Sequence, residues 1–93
     1  MKSLYTVELN GGIQHVYKFA NGYGASVVQH EFSYGSHENL WELAVINFDS
    51  DGEWSLDYST PITDDVIGWI NMVQVMEILL QIEHLQPKVL ETV

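Results

Sequence analysis

Alternating apolar and polar residues dominate the first two thirds of the chain and predict a series of β-strands. The predicted strands cover residues 4–9, 13–19, 25–32, 40–46 and 53–58. Short glycine-containing segments separate them, and Asn10-Gly11 tolerates the positive φ angles that a tight hairpin requires. The strand 40–46 is apolar on both faces apart from Glu42, which predicts a central place in an antiparallel sheet.

The same alternation predicts which strand residues are buried. In the strand 53–58 it places Trp54, Leu56 and Tyr58 inward. With the helix residues described next, the predicted core contains Trp41 or Leu43, Trp54, Leu56, Met76 and Leu79.

The last third of the chain changes to helical periodicity. Pro61 ends the strand region, because proline cannot donate a hydrogen bond into a central ladder. Thr63 followed by Asp64 and Asp65 is typical of a helix start, and this pattern predicts a helical turn over residues 64–69.

A main helix is predicted over residues 72–86. Asn71 and Gln74 have the spacing of a capping box at its start, and Pro87 stops it. Residues 88–93 are predicted to fray. The overall prediction is an α+β fold: an antiparallel meander of four to five strands, a short helical turn, and one C-terminal helix packed on one sheet face.

The apolar surface of the main helix is wider than one sheet face needs. Its polar residues form one narrow stripe, consisting of Gln74, Glu77, Gln81 and His84. Two explanations remain open: the N-terminal hairpin and the turn over residues 64–69 wrap the helix, or a second copy packs on it. In the second case the expected self-association residues are Met72, Val73, Met76 and Leu80.

Size and charge narrow the function classes. With 93 residues, of which 46% are apolar, the chain is predicted to form a single domain over 1–93. Its three lysines, absence of arginine and net charge of −10 argue against direct nucleic-acid binding, which needs basic residues at the phosphates. The most apolar stretch, 66–82, is interrupted by polar residues, so no membrane span is predicted and a cytoplasmic protein is expected.

Several acidic residues follow one another closely, without a basic residue between Lys18 and Lys88. They are Asp49, Asp51, Glu53, Asp57, Asp64 and Asp65. One interpretation is a solvated face that keeps the protein soluble. The other is a docking patch for a protein with a basic surface, such as a nucleic-acid-binding protein whose phosphate sites the carboxylates occupy.

Chemistry that needs cysteine is excluded, because the chain contains none. A four-residue loop over 21–24 would place His15 opposite His30, close enough to share a metal, but a third ligand is missing on that face. Two stacked histidines are therefore the preferred interpretation of this pair.

Motifs for catalysis are also lacking. Residues 22–26 lack the third glycine and the lysine of nucleotide-binding loops, and residues 49–53 match a calcium loop only in part and lie between strands. No serine lies in a nucleophile elbow. We therefore expect no catalytic residues and no cofactor, and a non-enzyme is the favoured class.

Four segments carry a resemblance to a family of short bacteriophage and prophage proteins. They are residues 21–28 (NGYGASVV), 33–35 (SYG), 40–45 (LWELAV) and 60–69 (TPITDDVIGW), followed by a leucine-rich helix. The resemblance implies a phage origin and brings no catalytic residues with it. Together with the charge it suggests an interaction protein acting in the host cytoplasm, of the anti-CRISPR or anti-restriction type. The alternative is a phage accessory or assembly protein that self-associates.

Overall fold

A computed structural model describes residues 1–87, so the tail predicted to fray lies outside the described residues. Within this range the chain forms six β-strands, one 3₁₀ turn and one α-helix. The elements are β1 (Tyr5–Leu9), β2 (Gly12–Lys18), β3 (Tyr23–Gln29), a 3₁₀ turn (Ser36–Glu38), β4 (Trp41–Phe48), β5 (Trp54–Leu56), β6 (Ile67–Ile70) and α1 (Met72–Glu83). The predicted α+β class is confirmed.

The strands form one antiparallel sheet in the order β1-β2-β3-β4-β5, with β6 also paired to β4. Strand β5 pairs with the end of β4, over Ile46–Phe48, and β6 pairs with its beginning, over Trp41–Leu43. Since β3 occupies the other edge of β4 throughout, β5 and β6 share one sheet edge. Strand β4 is central, as predicted.

The predicted helical turn over 64–69 is wrong, because Ile67–Ile70 forms strand β6. The Thr63 hydroxyl accepts a hydrogen bond from the Asp65 backbone N–H at 3.2 Å, so it closes a local turn and caps no helix. A single helical turn is costly to nucleate, whereas a strand here completes the free edge of β4 with apolar residues.

The first two hairpins differ in their turns. Asn10 (φ 48°) and Gly11 (φ 78°) form the tight two-residue turn that the sequence predicts between β1 and β2. Between β2 and β3 the predicted four-residue loop is wrong. The Phe19 N–H donates to the Tyr23 carbonyl at 2.8 Å, and Gly22 has φ 90°, so the loop has three residues and ends in a glycine bulge.

Helix α1 begins with the predicted capping box. The Asn71 side chain accepts from the Gln74 N–H, and the Gln74 side chain accepts from the Asn71 N–H, each at 2.9 Å. The helix ends at Glu83, earlier than the predicted 86. There the Asn21 amide, from the β2–β3 loop, donates to the Ile82 carbonyl at 2.8 Å and satisfies a group that the helix end leaves open.

The core lies mainly between the sheet and α1, on what we call the helix face. Its buried residues include Val27, Leu43, Val45, Val75, Leu79 and Ile82. A smaller cluster of Val16, Ile46 and Phe48 lies on the opposite sheet face, the open face, with Trp54 packed against it. Both faces of the central strand are thus buried, as its sequence indicates.

The predicted core is only partly correct. Leu43 and Leu79 are fully buried, and Trp54 and Met76 are half-buried. The predictions for Leu56 and Tyr58 are wrong, because both side chains are exposed, Leu56 by 51%. Leu56 lies opposite Ile46 on the open face, which α1 does not cover, and its strand is only three residues long.

Candidate protein-interaction surfaces

The six predicted docking acids lie in the connections that lead into β5 and β6, the two strands that share one edge of β4. Three belong to the turn that leads into β5, and three belong to the segment between β5 and β6. We call this set the acidic edge, and it consists of Asp49, Asp51, Glu53, Asp57, Asp64 and Asp65. These residues are up to 16 positions apart in the chain, and the two strands that they precede or follow pair with the same edge of β4.

Half of the acidic edge holds the backbone in place. An oxygen of the Asp49 carboxylate accepts from the N–H groups of Asp51 (2.9 Å) and Glu53 (3.0 Å). Asp57 accepts from the Ser59 N–H at 2.9 Å, and Asp65 accepts from the Val66 N–H at 2.7 Å. These carboxylates order their own turns, which is a common structural use of aspartate.

The other half of the acidic edge is available to a partner. Asp51, Glu53 and Asp64 are exposed, and within residues 1–87 their carboxylates accept no hydrogen bond. The predicted helix-start role of Asp64 does not apply, because no helix begins there. These three side chains can be neutralised without removing a contact that holds the fold.

Helix α1 exposes an apolar flank beside its buried face. Val73 is 68% exposed, Leu80 and Met72 are exposed as well, and Met76 is half-buried. Part of the surplus apolar surface is covered within the chain, because Ile62 and Ile67 pack against the helix-face core. The flank of Met72, Val73, Met76 and Leu80 stays largely open, and we call it the helix flank.

The two histidines considered for metal binding lie in separate environments, and the predicted pairing is wrong. His15 lies opposite Val27, because the three-residue β2–β3 loop sets the register. Its Nδ1 is 2.7 Å from the Thr6 hydroxyl, and its ring lies 5.5 Å from the Trp41 ring. His30 Nδ1 accepts from the Phe32 N–H at 3.1 Å. In the described part of the chain, no three side chains of His, Asp or Glu are grouped so that they could hold a metal.

One exposed surface was missed by sequence reasoning, and it is aromatic. Trp69 is 59% exposed, Tyr34 is exposed to the same degree, and the two backbones meet where the Trp69 N–H donates a long hydrogen bond of 3.5 Å to the Tyr34 carbonyl. We call these two side chains the Tyr34–Trp69 surface. The helical assignment of 64–69 concealed it, although the glycines at 35 and 68, each next to an aromatic residue, were a visible signal.

The segment that carries Tyr34 is held by its own hydrogen bonds. The Ser33 hydroxyl accepts from the His30 N–H at 2.9 Å and donates to the His30 carbonyl at 3.0 Å. The Leu40 N–H donates to the Gly35 carbonyl, also at 3.0 Å. The loop therefore presents its aromatic residues from a fixed backbone.

The comparisons with known proteins leave the family open. Neither the family models nor the curated proteins nor the solved structures give a match to this chain. The resemblance to phage proteins therefore stays a prediction. Among residues 1–87, α1 falls short of the length that a bilayer-spanning helix requires.

Proposed function

We propose that this protein is an acidic interaction module that binds a basic surface of another protein through its acidic edge. The observation that carries the proposal is the placement of Asp51, Glu53 and Asp64. They lie in the connections that lead into β5 and β6, which share one edge of β4, and their carboxylates are exposed and accept no hydrogen bond from the described residues, in a chain of net charge −10. A preorganised edge of free carboxylates attracts cationic surfaces over a distance and orients them during encounter.

The partner class follows from the same charge. Proteins that bind nucleic acid carry clustered lysine and arginine side chains at the phosphate positions, and an acidic edge can occupy those positions. With the phage resemblance, this supports an anti-defence role in the host cytoplasm, in which the module blocks the nucleic-acid site of a restriction or CRISPR effector. Such a role requires neither a catalytic residue nor a cofactor.

Affinity capture from a bacterial host lysate tests this proposal. The variant Asp51→Asn/Glu53→Gln/Asp64→Asn neutralises the free carboxylates, and the control Glu8→Gln/Glu77→Gln/Glu83→Gln removes the same charge from exposed positions elsewhere. We expect wild type and the control to capture the same basic protein, and the first variant to lose it. Equal capture by all three proteins would contradict the proposal.

Self-association is a second candidate function, favoured by the helix flank. Exposed apolar side chains grouped on one side of a helix are typical of a surface that another protein covers. On this proposal the protein is a phage accessory or assembly component that forms a homodimer through Met72, Val73, Met76 and Leu80.

Sedimentation at high micromolar concentration tests the second candidate. We expect wild type to dimerise, Val73→Glu to be monomeric, and Gln74→Glu, which adds the same charge on the polar side of α1, to dimerise. A monomeric wild type would rule it out.

A further inference from the structure

Trp69 adopts a backbone conformation that tryptophan avoids. Its φ angle is +60°, in the left-handed region where a Cβ atom meets the following carbonyl. The cause is a bulge in β6: Ile67 and Ile70 pair with Leu43 and Trp41, so β6 carries one more residue than β4 over the same length. Glycine is the residue that usually occupies such a position.

Folding alone does not account for a tryptophan here. The indole is 59% exposed, so the buried area that could offset the backbone strain is small. Strained residues that give the core little are concentrated at binding sites, where the surrounding structure holds them for a partner.

Neighbouring glycines fix the position of Trp69 relative to Tyr34. A Cβ atom at position 68 would lie 2.6 Å from the Tyr34 Cβ, and one at position 35 would lie 3.1 Å from the Trp69 Cα. Glycine at both positions lets the Tyr34 loop and β6 touch. The two exposed aromatic side chains therefore project from backbone segments that are in direct contact.

The negative charge around the Tyr34–Trp69 surface favours a cationic partner. Asp64 and Asp65 are exposed on the segment that leads directly into β6. Glu38 is exposed on the 3₁₀ turn, and its backbone N–H donates a hydrogen bond to the Gly35 carbonyl. A second copy would bring the same net charge of −10 to a negative surface. A cationic partner is attracted to it instead.

Arginine is the cation that suits such a surface best. Its planar guanidinium stacks on tryptophan and tyrosine rings while its N–H groups bind carboxylates, which the ammonium of lysine does less well. This chain contains no arginine of its own, so the side chain must come from the partner.

We propose that the Tyr34–Trp69 surface is a recognition site for an arginine side chain of the basic partner, with Trp69 as its main contact. This inference rests on the proposed function, because it assumes a basic protein as the partner. It adds that stacking on the aromatic rings distinguishes arginine from lysine at this surface.

Binding of fluorescently labelled oligoarginine and oligolysine peptides of equal length tests this assignment. Wild type should bind oligoarginine about two- to fivefold more tightly than oligolysine, the range of a cation–π contact at an exposed site. Trp69→Gly and Tyr34→Ser should lose this preference. The control Tyr58→Ser, which removes an exposed aromatic side chain after β5, should keep it.

The neutralised acidic-edge variant separates this proposal from the proposed function. For this purpose it is reduced to Asp51→Asn/Glu53→Gln, which leaves Asp64 beside the Tyr34–Trp69 surface intact; this variant should weaken binding of both peptides and leave the arginine preference in place. If that variant binds both peptides as tightly as wild type does, the result would contradict docking through the acidic edge and would leave the arginine site standing. Equal binding of the two peptides by wild type, or an unchanged preference in Trp69→Gly, would overturn the arginine site.

A spectroscopic measurement on wild type keeps the proposal testable even where a variant folds poorly. In nuclear magnetic resonance spectra, oligoarginine should shift the indole N–H signal of Trp69 and leave that of Trp54, which is bonded to Tyr5, in place. A stationary Trp69 signal would contradict the site. A wild-type dimer that Trp69→Gly dissociates would show that a second copy is the occupant and would also contradict it.

Discussion

The indole Nε1 of Trp54 donates a hydrogen bond of 2.9 Å to the Tyr5 hydroxyl, joining β5 to β1 across the open face of the sheet. These strands are the first and last of a five-strand path, so in a flat sheet they would lie roughly 19 Å apart. The bond therefore requires the sheet to curl around this face. The small residues Gly24, Ser26 and Ala44 line the middle of the face and leave room for the curl.

Loss of the Tyr5 hydroxyl should weaken this closure. We predict that Tyr5→Phe lowers the free energy of unfolding by about 1 kcal/mol, the usual contribution of one hydrogen bond. Urea unfolding followed by circular dichroism measures the change. Tyr58→Phe, which removes a hydroxyl without a hydrogen-bond partner among the described residues, is the control and should be neutral. If Tyr5→Phe matches wild type, the bond does not contribute to stability.

Asn21 should be needed for the junction between the β2–β3 loop and α1. Its amide donates to the carbonyls of Ile82, Glu83 and Leu85, and its Oδ1 accepts from the Tyr23 N–H. We predict that Asn21→Ala lowers the free energy of unfolding by about 1–2 kcal/mol.

The aspartate replacement sharpens this test. Asn21→Asp keeps the acceptor for Tyr23 but puts a negative charge at the negative end of the α1 dipole. It should therefore be no more stable than Asn21→Ala. Thermal unfolding of both variants measures the order, and a stable Asn21→Asp would refute the capping role of the amide.

Tyr17 should make the fold sensitive to alkali. Burial raises the pKa of its phenol above the ordinary value near 10, because the charged form is poorly solvated in the core. Above pH 10 the unfolded chain loses this proton more readily than the folded chain, so the free energy of unfolding falls as the pH rises.

The variant Tyr17→Phe isolates this effect, because it lacks the ionisable group and keeps the ring. We predict that the difference in urea midpoint between wild type and Tyr17→Phe changes in favour of the variant as the pH rises past about 10. A difference that stays constant between neutral and alkaline pH would contradict the assignment.

Relief of the strain at Trp69 should be measurable in stability. A left-handed conformation costs a non-glycine residue about 1–2 kcal/mol. Trp69→Ala keeps that cost and Trp69→Gly removes it, so Trp69→Gly should be the more stable of the two by up to about 1 kcal/mol, after the greater chain entropy of glycine is included. Chemical unfolding of the pair provides the comparison, and a more stable Trp69→Ala would show that the bulge is not strained.

The sequence allowed the sheet, the Asn10-Gly11 turn and the Asn71–Gln74 cap to be predicted, because each depends on neighbouring residues. The predictions were wrong where the local structure depends on contacts with distant parts of the chain. Strand β6 forms because β4 offers it a free edge, which outweighs the local helix-start pattern around Thr63.

The candidate surfaces, too, could be predicted from the sequence only in part. The acidic edge could be located from the sequence, but which of its carboxylates are free depends on the turn geometry around Asp49 and Asp57. The glycines at 35 and 68 pointed to the Tyr34–Trp69 surface, but the exposed position of Trp69 could not be predicted, because its φ angle results from the bulged pairing of β6 with β4. The partner of His15 moved by three residues, from His30 to Val27, because the β2–β3 loop covers residues 20–22 and not 21–24.

The most direct test of acidic docking is the association rate of the module with the basic protein it captures, measured at two salt concentrations. At 0.1 M salt, where the Debye length is about 10 Å, Asp51→Asn/Glu53→Gln/Asp64→Asn should associate on the order of tenfold more slowly than the control Glu8→Gln/Glu77→Gln/Glu83→Gln. At 1 M salt, where this length is about 3 Å, the two rates should converge. Equal association rates of the two variants at 0.1 M salt would contradict docking through the acidic edge.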